Sequence, residues 1–354
     1  MLWILFSINT PGGIILRTPG KYNGFNFLVH KNFDKPSLKR RRMGRSVRGT
    51  VIALINNRII SISSLLTGAT VWGLMWYPYR VLQGEGVSGE LATLLTYVIA
   101  LMFGLMATGQ VWRELRAAGW WGIAIMLVSG WTNYGYVLAI LDGEVMRVLL
   151  LFYLAPLWTV LFARWMLGET LNRYGYAIIA LSLGGAFIML WNPHHGLPLP
   201  QNRAEWIGLS AGMGFAMLNV LVRRTQHLSV NFKSAAVWIG TVLLTGASLL
   251  YHGNLVPQMQ GITLNAWGLL ALVGLVLCAT SIVVQYGLTH LPANRAIVLF
   301  LSELVFAAVS SYFLAGEEMG LREMIGAVLI VSASLLSGKM HTETTLIVAN
   351  EIES

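Results

Sequence analysis

The sequence predicts an all-α integral membrane protein, ten transmembrane helices arranged as two inverted five-helix repeats, and three observations carry that prediction. Of 354 residues, 56% are hydrophobic and only 11% charged, against roughly 25% charged in an ordinary soluble domain. No soluble core could hide that much apolar surface. Apolar stretches of about twenty residues recur along the chain, the length a helix needs to cross the hydrocarbon core of a bilayer. The second half of the chain also repeats the first, and each half holds an odd number of such stretches.

The apolar runs, bounded by polar or turn-forming breaks, fall at 59–82, 89–109, 118–140, 146–166, 172–191, 204–223, 234–251, 264–288, 293–314 and 321–338. Connections are short except at 192–203 (NPHHGLPLPQNR), where proline and polar groups mark a linker. The chain therefore divides into a basic N-terminal extension (1–58), a first repeat (59–191), the linker (192–203), a second repeat (204–338) and a tail (339–354).

The net charge of +9 takes its meaning from where it sits. Residues 1–58 hold eleven Lys and Arg against one acid, Asp34, so nearly all the excess precedes the first span. A basic flank there is the positive-inside signal and places that end in the cytoplasm. It argues against nucleic-acid binding through the run from Lys39 to Arg42. The sides predicted from this start agree with the loop charges. Loops placed inside carry Arg113, Arg116, Arg164, Arg173, Arg223, Arg224, Lys233 and Arg295, with Lys339 after the last span; those placed outside carry only Arg147, Arg203 and Arg322. Both termini are then cytoplasmic in a cell (inner) membrane. The extension reads as disordered and is compatible with a transit peptide. Met43 offers an alternative start, and residues 1–42 are expected to have no role in transport.

Aligning 147–186 with 295–334 at a constant offset of 148 superposes Arg147 on Arg295, Leu151-Phe152 on Leu299-Phe300, and Gly168-Glu169 on Gly316-Glu317. A weaker match places Trp72-Gly73 and Arg80 over Phe215-Ala216 and Arg223. With five spans per half, the second copy enters the membrane from the opposite side, as in the inverted repeats of secondary transporters. The segments FYLAPLWTVLFARWMLGE (152–169) and LSELVFAAVSSYFLAGEE (301–318) resemble the two signature regions of the EamA-like family of the drug/metabolite transporter (DMT) superfamily. The resemblance covers about 59–338. It implies a five-plus-five inverted fold with a central cavity, and often export of amino acids, metabolites or drugs. One departure stands out: the family's second copy often reads Glu-Pro, whereas here Glu303 precedes Leu304. Pro156 in the first copy predicts a helix kink, so any kink in the second must arise differently.

Glu303 is the first candidate for chemistry. Near the middle of the ninth span a charged carboxylate costs roughly 2.5 kcal/mol or more on insertion scales, so it should face the bundle interior or water, where it could carry a proton. The plain alternative is a packing hydrogen bond to a neighbouring helix. Asn133, Tyr134 and Tyr136 in the third span, Asn219 in the sixth, and Gln285 and Tyr286 in the eighth could bind a solute without burying net charge, or could simply join helices. Trp72, Trp76 and Trp158 could line a cavity or anchor span ends at the interface. Arg80 could attract an anion or snorkel. The two Gly-Glu pairs read as a left-handed helix cap followed by an acid in the first turn of the next helix.

Two tempting patterns fail in context. Gly208-Leu209-Ser210-Ala211-Gly212 matches G-x-S-x-G, but that nucleophile elbow needs a strand-to-helix turn and this copy lies in an apolar helix. His194-His195 has no third ligand at a recognisable spacing, and lone Cys278 cannot form an internal disulfide; neither a metal nor a cofactor is expected. No G-x-x-x-x-G-K-[ST] run occurs, so ATP is not expected to drive the protein directly. The leading reading is a secondary transporter, an exporter of a small neutral, zwitterionic or cationic solute, driven by a proton or solute gradient. The alternatives are a nucleotide-sugar or phosphate-type exchanger of the same superfamily, which would need basic groups at mid-depth, and an intramembrane enzyme, which would need a nucleophile with its base. The partners expected are a small-molecule solute and the bilayer, and a homodimer is compatible with the sequence.

Overall fold

The structure, a computed structural model, describes residues 36–107, 111–143, 145–191, 199–252, 259–316 and 320–340. The expectations for the first 35 residues, the His194-His195 pair, Glu317 and the tail after Met340 fall outside these. Twelve helices are described: α1 (Pro36–Gly84), α2 (Gly89–Ala107), α3 (Val111–Asp142), α4 (Val145–Phe152), α5 (Ala155–Leu167) and α6 (Arg173–Leu190), then α7 (Arg203–Arg224), α8 (Val230–Tyr251), α9 (Leu264–His290), α10 (Ala293–Phe300), α11 (Ser302–Ala315) and α12 (Leu321–Leu336). From Pro36 to Gly84 the backbone is helical. Long Lys and Arg side chains are good helix formers, and no proline follows Pro36 before Pro78.

Ten helical segments among the described residues are long and apolar enough to cross a membrane, from Asn56–Gly84 to Leu321–Lys339. They fall where the apolar runs place them, and all lie in the compact unit Val51–Ser354. The fourth span is α4 plus α5 and the ninth is α10 plus α11, each broken near its middle. We call the face where the first span begins the near face and the opposite one the far face.

The helix ends follow from their sequences. Side chains of Asn172, Asn202, Ser229 and Thr263 accept from the third backbone N–H of the helix that follows, the usual N-cap bond. Gly168 and Gly316 end the fourth and ninth spans in the left-handed conformation, with φ of 68° and 67°. The expected caps are in place, at equivalent positions of the two repeats.

Neighbour relations obey the inversion. The third span packs on the seventh and the eighth on the second, while the fifth packs on the tenth. The sixth span meets the fourth where Gly212 faces the backbone of Phe152; the first meets the ninth where Gly73 faces the backbone of Glu303. Exchanging spans one to five with six to ten converts each contact into its counterpart. Side chains such as Trp165, Phe313 and Leu335 lie largely exposed on the outside of the bundle. That would be anomalous in water and is ordinary against lipid tails.

Candidate functional site

The two broken spans meet at the centre of the bundle. In the fourth, Pro156 sits in the first turn of α5. A proline there has no N–H to donate and crowds the carbonyl four residues back, that of Phe152. The break accordingly falls at Tyr153 and Leu154, just before the proline rather than at it. Gly212 accommodates the displaced turn, because a Cβ on it would collide with the Phe152 carbonyl.

The ninth span breaks at Leu301 without a proline. Ser302 Oγ donates to Leu299 O at 2.6 Å, taking up a carbonyl of the preceding turn. Leu304 N–H bonds Leu301 O at 3.1 Å, tightening the turn toward 3₁₀ geometry. The kink expected from a Glu-Pro pair is thus reached by a serine back-bond. Glu303 stands in the first turn of α11, where unpaired backbone N–H groups and the helix dipole favour negative charge. It lies beside Tyr153, so the break of one repeat stands next to the break of the other.

A cavity of about 120 Å³ lies at this junction. Trp72, Asn133, Tyr136, Asn219, Gln285 and Glu303 line it, which brings six of the ten candidate residues together. The other four lie elsewhere. Tyr134 hydrogen-bonds Ser248 at 2.6 Å, and Tyr286 packs on the His290 ring at 4.2 Å near the near face. Trp76 donates to Ser310 Oγ at 2.9 Å, joining the first span to the ninth, and Trp158 packs with the cluster around Ile178 and Ile297. Arg80 is exposed over the Trp76 ring. Ser210 donates to Ile207 O and accepts from Trp131 Nε1.

Sequence reasoning missed Tyr153 and the phenylalanines of the cavity wall. Phe152, Phe215 and Phe300 line it with Trp72 and Tyr136. The signal was present: Phe152 and Phe300 are repeat equivalents, and so are Trp72 and Phe215. The contacts match as well, with Trp72 to Phe300 at 5.8 Å and Phe215 to Phe152 at 5.6 Å. Glu303 breaks the symmetry, since its counterpart at the offset of 148 is Ala155.

Both faces of the bundle carry polar networks. At the far face Arg147 Nε and a terminal nitrogen bond the two oxygens of Glu205 at 2.7 and 3.0 Å, and Arg147 also reaches Leu199 O. At the near face Arg223 donates to Thr289 O at 2.7 Å, and buried Lys233 donates to Thr289 Oγ1 at 3.0 Å. Thr289 directly follows Leu288 of the cavity wall. Glu169 accepts from Ala293 N–H at 3.3 Å and Asn294 Nδ2 at 3.4 Å, with Arg223 Nε 3.9 Å away. The acid after Gly168 was expected to serve the next helix, α6. It crosses instead to the N-terminus of α10, because α6 already has Asn172 as its cap. Burial pushes the Glu169 carboxyl above its ordinary range, against the pull of Ala293 N–H and Arg223.

Ten membrane-length helices among the described residues, in two inverted halves with a cavity where both broken spans meet, define a multi-pass membrane protein built like a carrier. The model of the EamA-like transporter family matches residues 59–191 and 202–338. The chain belongs to that family and is a small-solute transporter. It is 25% identical over 277 residues to a protein of Archaeoglobus fulgidus called an uncharacterized transporter, covering 78% of this chain and 95% of that one. It is 24% identical over 245 residues to the pseudopaline exporter CntI of Pseudomonas aeruginosa, covering 69% and 81%. A solved crystal structure shares the fold with a TM-score of 0.61 at 18% identity, over 80% of this chain and 97% of that one.

Proposed function

We propose that the chain is a secondary transporter that exports a small neutral, zwitterionic or cationic solute by alternating access. Glu303 is the group through which a proton gradient acts. One observation carries this reading: the only acid among the described cavity-lining residues sits at a helix break, beside Tyr153 at the break of the opposite repeat. Adding or removing a proton there changes the charge at the junction between the two halves that must move. Export is supported by the relative named as an exporter. The phosphate-type exchanger finds no support in the cavity wall, where no Arg, Lys or His is among the described lining residues. The protein resides in the cell inner membrane with both termini cytoplasmic, which makes the near face the cytoplasmic one.

The test is a solute panel in proteoliposomes with and without an imposed pH gradient. Uptake or release of at least one solute that accelerates with the gradient is expected. Flux indistinguishable from protein-free vesicles across the panel would contradict the proposal. Orientation is checked by tags: one after Ser88 or within 194–202 should be labelled from outside, and one after Thr225 only from inside.

A further inference from the structure

We infer that the central cavity is a binding site for a small organic cation, an amine or ammonium compound without an acidic group. Trp72, Tyr136, Phe152, Phe215 and Phe300 cage the cation, and Glu303 balances its charge. The inference rests on reading this cavity as the solute's site and adds the chemical class of the solute.

The cage is continuous. Ring centroids step from Tyr136 to Phe152 at 5.0 Å, on to Phe215 at 5.6 Å, to Phe300 at 5.4 Å and to Trp72 at 5.8 Å. All five rings line the cavity. Aromatic faces are electron-rich, and a cation held over them away from water gains more than a neutral solute of the same shape.

Charge points the same way. The lining holds one carboxyl and, among the described residues, no basic group. Arg223 and Lys233 at the near face are committed to Thr289, which follows the lining residue Leu288. A carboxylate or phosphate on the solute would therefore enter a low-dielectric site with no counter-charge, a cost that buried anions do not sustain.

The hydrogen-bond balance agrees. Asn219 and Gln285 are 0% and 4% exposed and line the cavity. Both amide atoms of Asn219 and Gln285 Oε1 lack a partner. Buried polar atoms are rarely left so, and two of these three are acceptors. Together with the Glu303 oxygens they present a surplus of acceptors, which a solute bearing N–H donors fills. The volume of about 120 Å³ is below the roughly 300 Å³ of the smallest drug-sized pockets, so the cation is small.

The repeat supplies a further argument. Four of the five rings form two repeat-related pairs, Trp72 with Phe215 and Phe152 with Phe300, so each half supplies two of these four, and Tyr136 is the fifth. A half-turn exchange of the repeats puts like rings in like places, and the cation keeps an aromatic surround whichever face the cavity opens to.

The test uses the purified full chain in nanodiscs and three compounds of nearly one shape: 3,3-dimethylbutylamine, 3,3-dimethylbutan-1-ol and 3,3-dimethylbutanoate, with tetramethylammonium as a fourth. Binding is read by calorimetry and by quenching of tryptophan fluorescence at neutral pH. The amine should bind saturably and tetramethylammonium, which has no N–H to donate, more weakly, with the alcohol and the carboxylate each about tenfold weaker than the amine or more. Glu303→Gln and Phe215→Leu should each weaken the cation, while Phe215→Tyr retains it. Equal or tighter binding of the alcohol or the carboxylate overturns the inference, and so does the absence of saturable binding by both cations. The comparison is made on the wild-type chain, so a variant that fails to fold leaves it standing. Cation binding without gradient-driven flux would sink the transporter proposal alone. Flux of neutral or acidic solutes without cation binding would sink this inference alone.

Discussion

The fourth and ninth spans have the same shape, but different chemistry breaks them. Pro156 removes a donor and forces the turn at Tyr153 open, whereas Ser302 opens the turn at Leu301 with a hydroxyl that could let go again. Only the ninth carries an acid at its break; the residue at its repeat position in the fourth is Ala155. An inverted repeat needs two equivalent hinges to reach two equivalent states. It needs only one proton site to bias them. On the proposed mechanism, the asymmetry makes the break of the first repeat the fixed one and that of the second the chemically responsive one.

The severest way to disturb this pairing is to fill the close approaches beside the breaks. A side chain on Gly212 would strike the Phe152 carbonyl, and one on Gly73 would strike the Glu303 backbone. Gly212→Val and Gly73→Val should each lose most folded protein, since overpacking of 1–3 kcal/mol is a large share of the stability of a typical domain. Monodisperse yield by size exclusion at matched expression measures it; normal yield for both would show that the spans do not meet as described.

A milder change makes the ninth span resemble the fourth. Leu304→Pro removes one bond, Leu304 N–H to Leu301 O, at a position where the helix is already broken. It should cost well under the ~3 kcal/mol of a proline in an intact helix, and leave a folded protein with slowed transport. A loss of folding as large as that of proline at Val309 would mean that the ninth span is not broken at Leu301. Melting of the two variants in detergent separates the outcomes.

The smallest effect concerns the near-face network. Glu169 has its carboxyl raised by burial, so its contribution to stability is complete below the ordinary carboxylate range and is lost as pH rises through the raised value. Melting temperature of the wild type should therefore decline relative to Glu169→Gln between acid and neutral pH. Parallel curves would show that the carboxyl does not titrate differently on folding.

The ten spans were legible because apolar runs of membrane length admit few readings, and the inversion because an odd span count leaves no other arrangement. Glu303, Asn219 and Gln285 were legible because polar groups at membrane depth must face something other than lipid. The aromatic wall was not, since a phenylalanine facing a cavity and one facing lipid look alike in an apolar run. Tyr153 escaped because the partner that gives it meaning lies in the other repeat. Tyr134 and Tyr286 qualified on the same ground, as polar groups at membrane depth. On a helix, the one residue from Gln285 to Tyr286 or the two from Tyr136 to Tyr134 turn a side chain by about 100° or 200°, which carries both rings away from the cavity. Trp76 shares a face with Trp72 but sits about one turn further along the first span.

The central claim is that Glu303 couples a proton gradient to movement of the two halves. Glu303→Gln keeps size and hydrogen-bonding capacity but cannot ionise, and Glu303→Asp keeps the carboxyl at shorter reach. In proteoliposomes with matched protein content, the Gln variant should lose gradient-driven flux while inserting and folding normally, and the Asp variant should keep part of it with a shifted pH profile. Full gradient-driven flux in the Gln variant would contradict the account and leave Glu303 as a packing group.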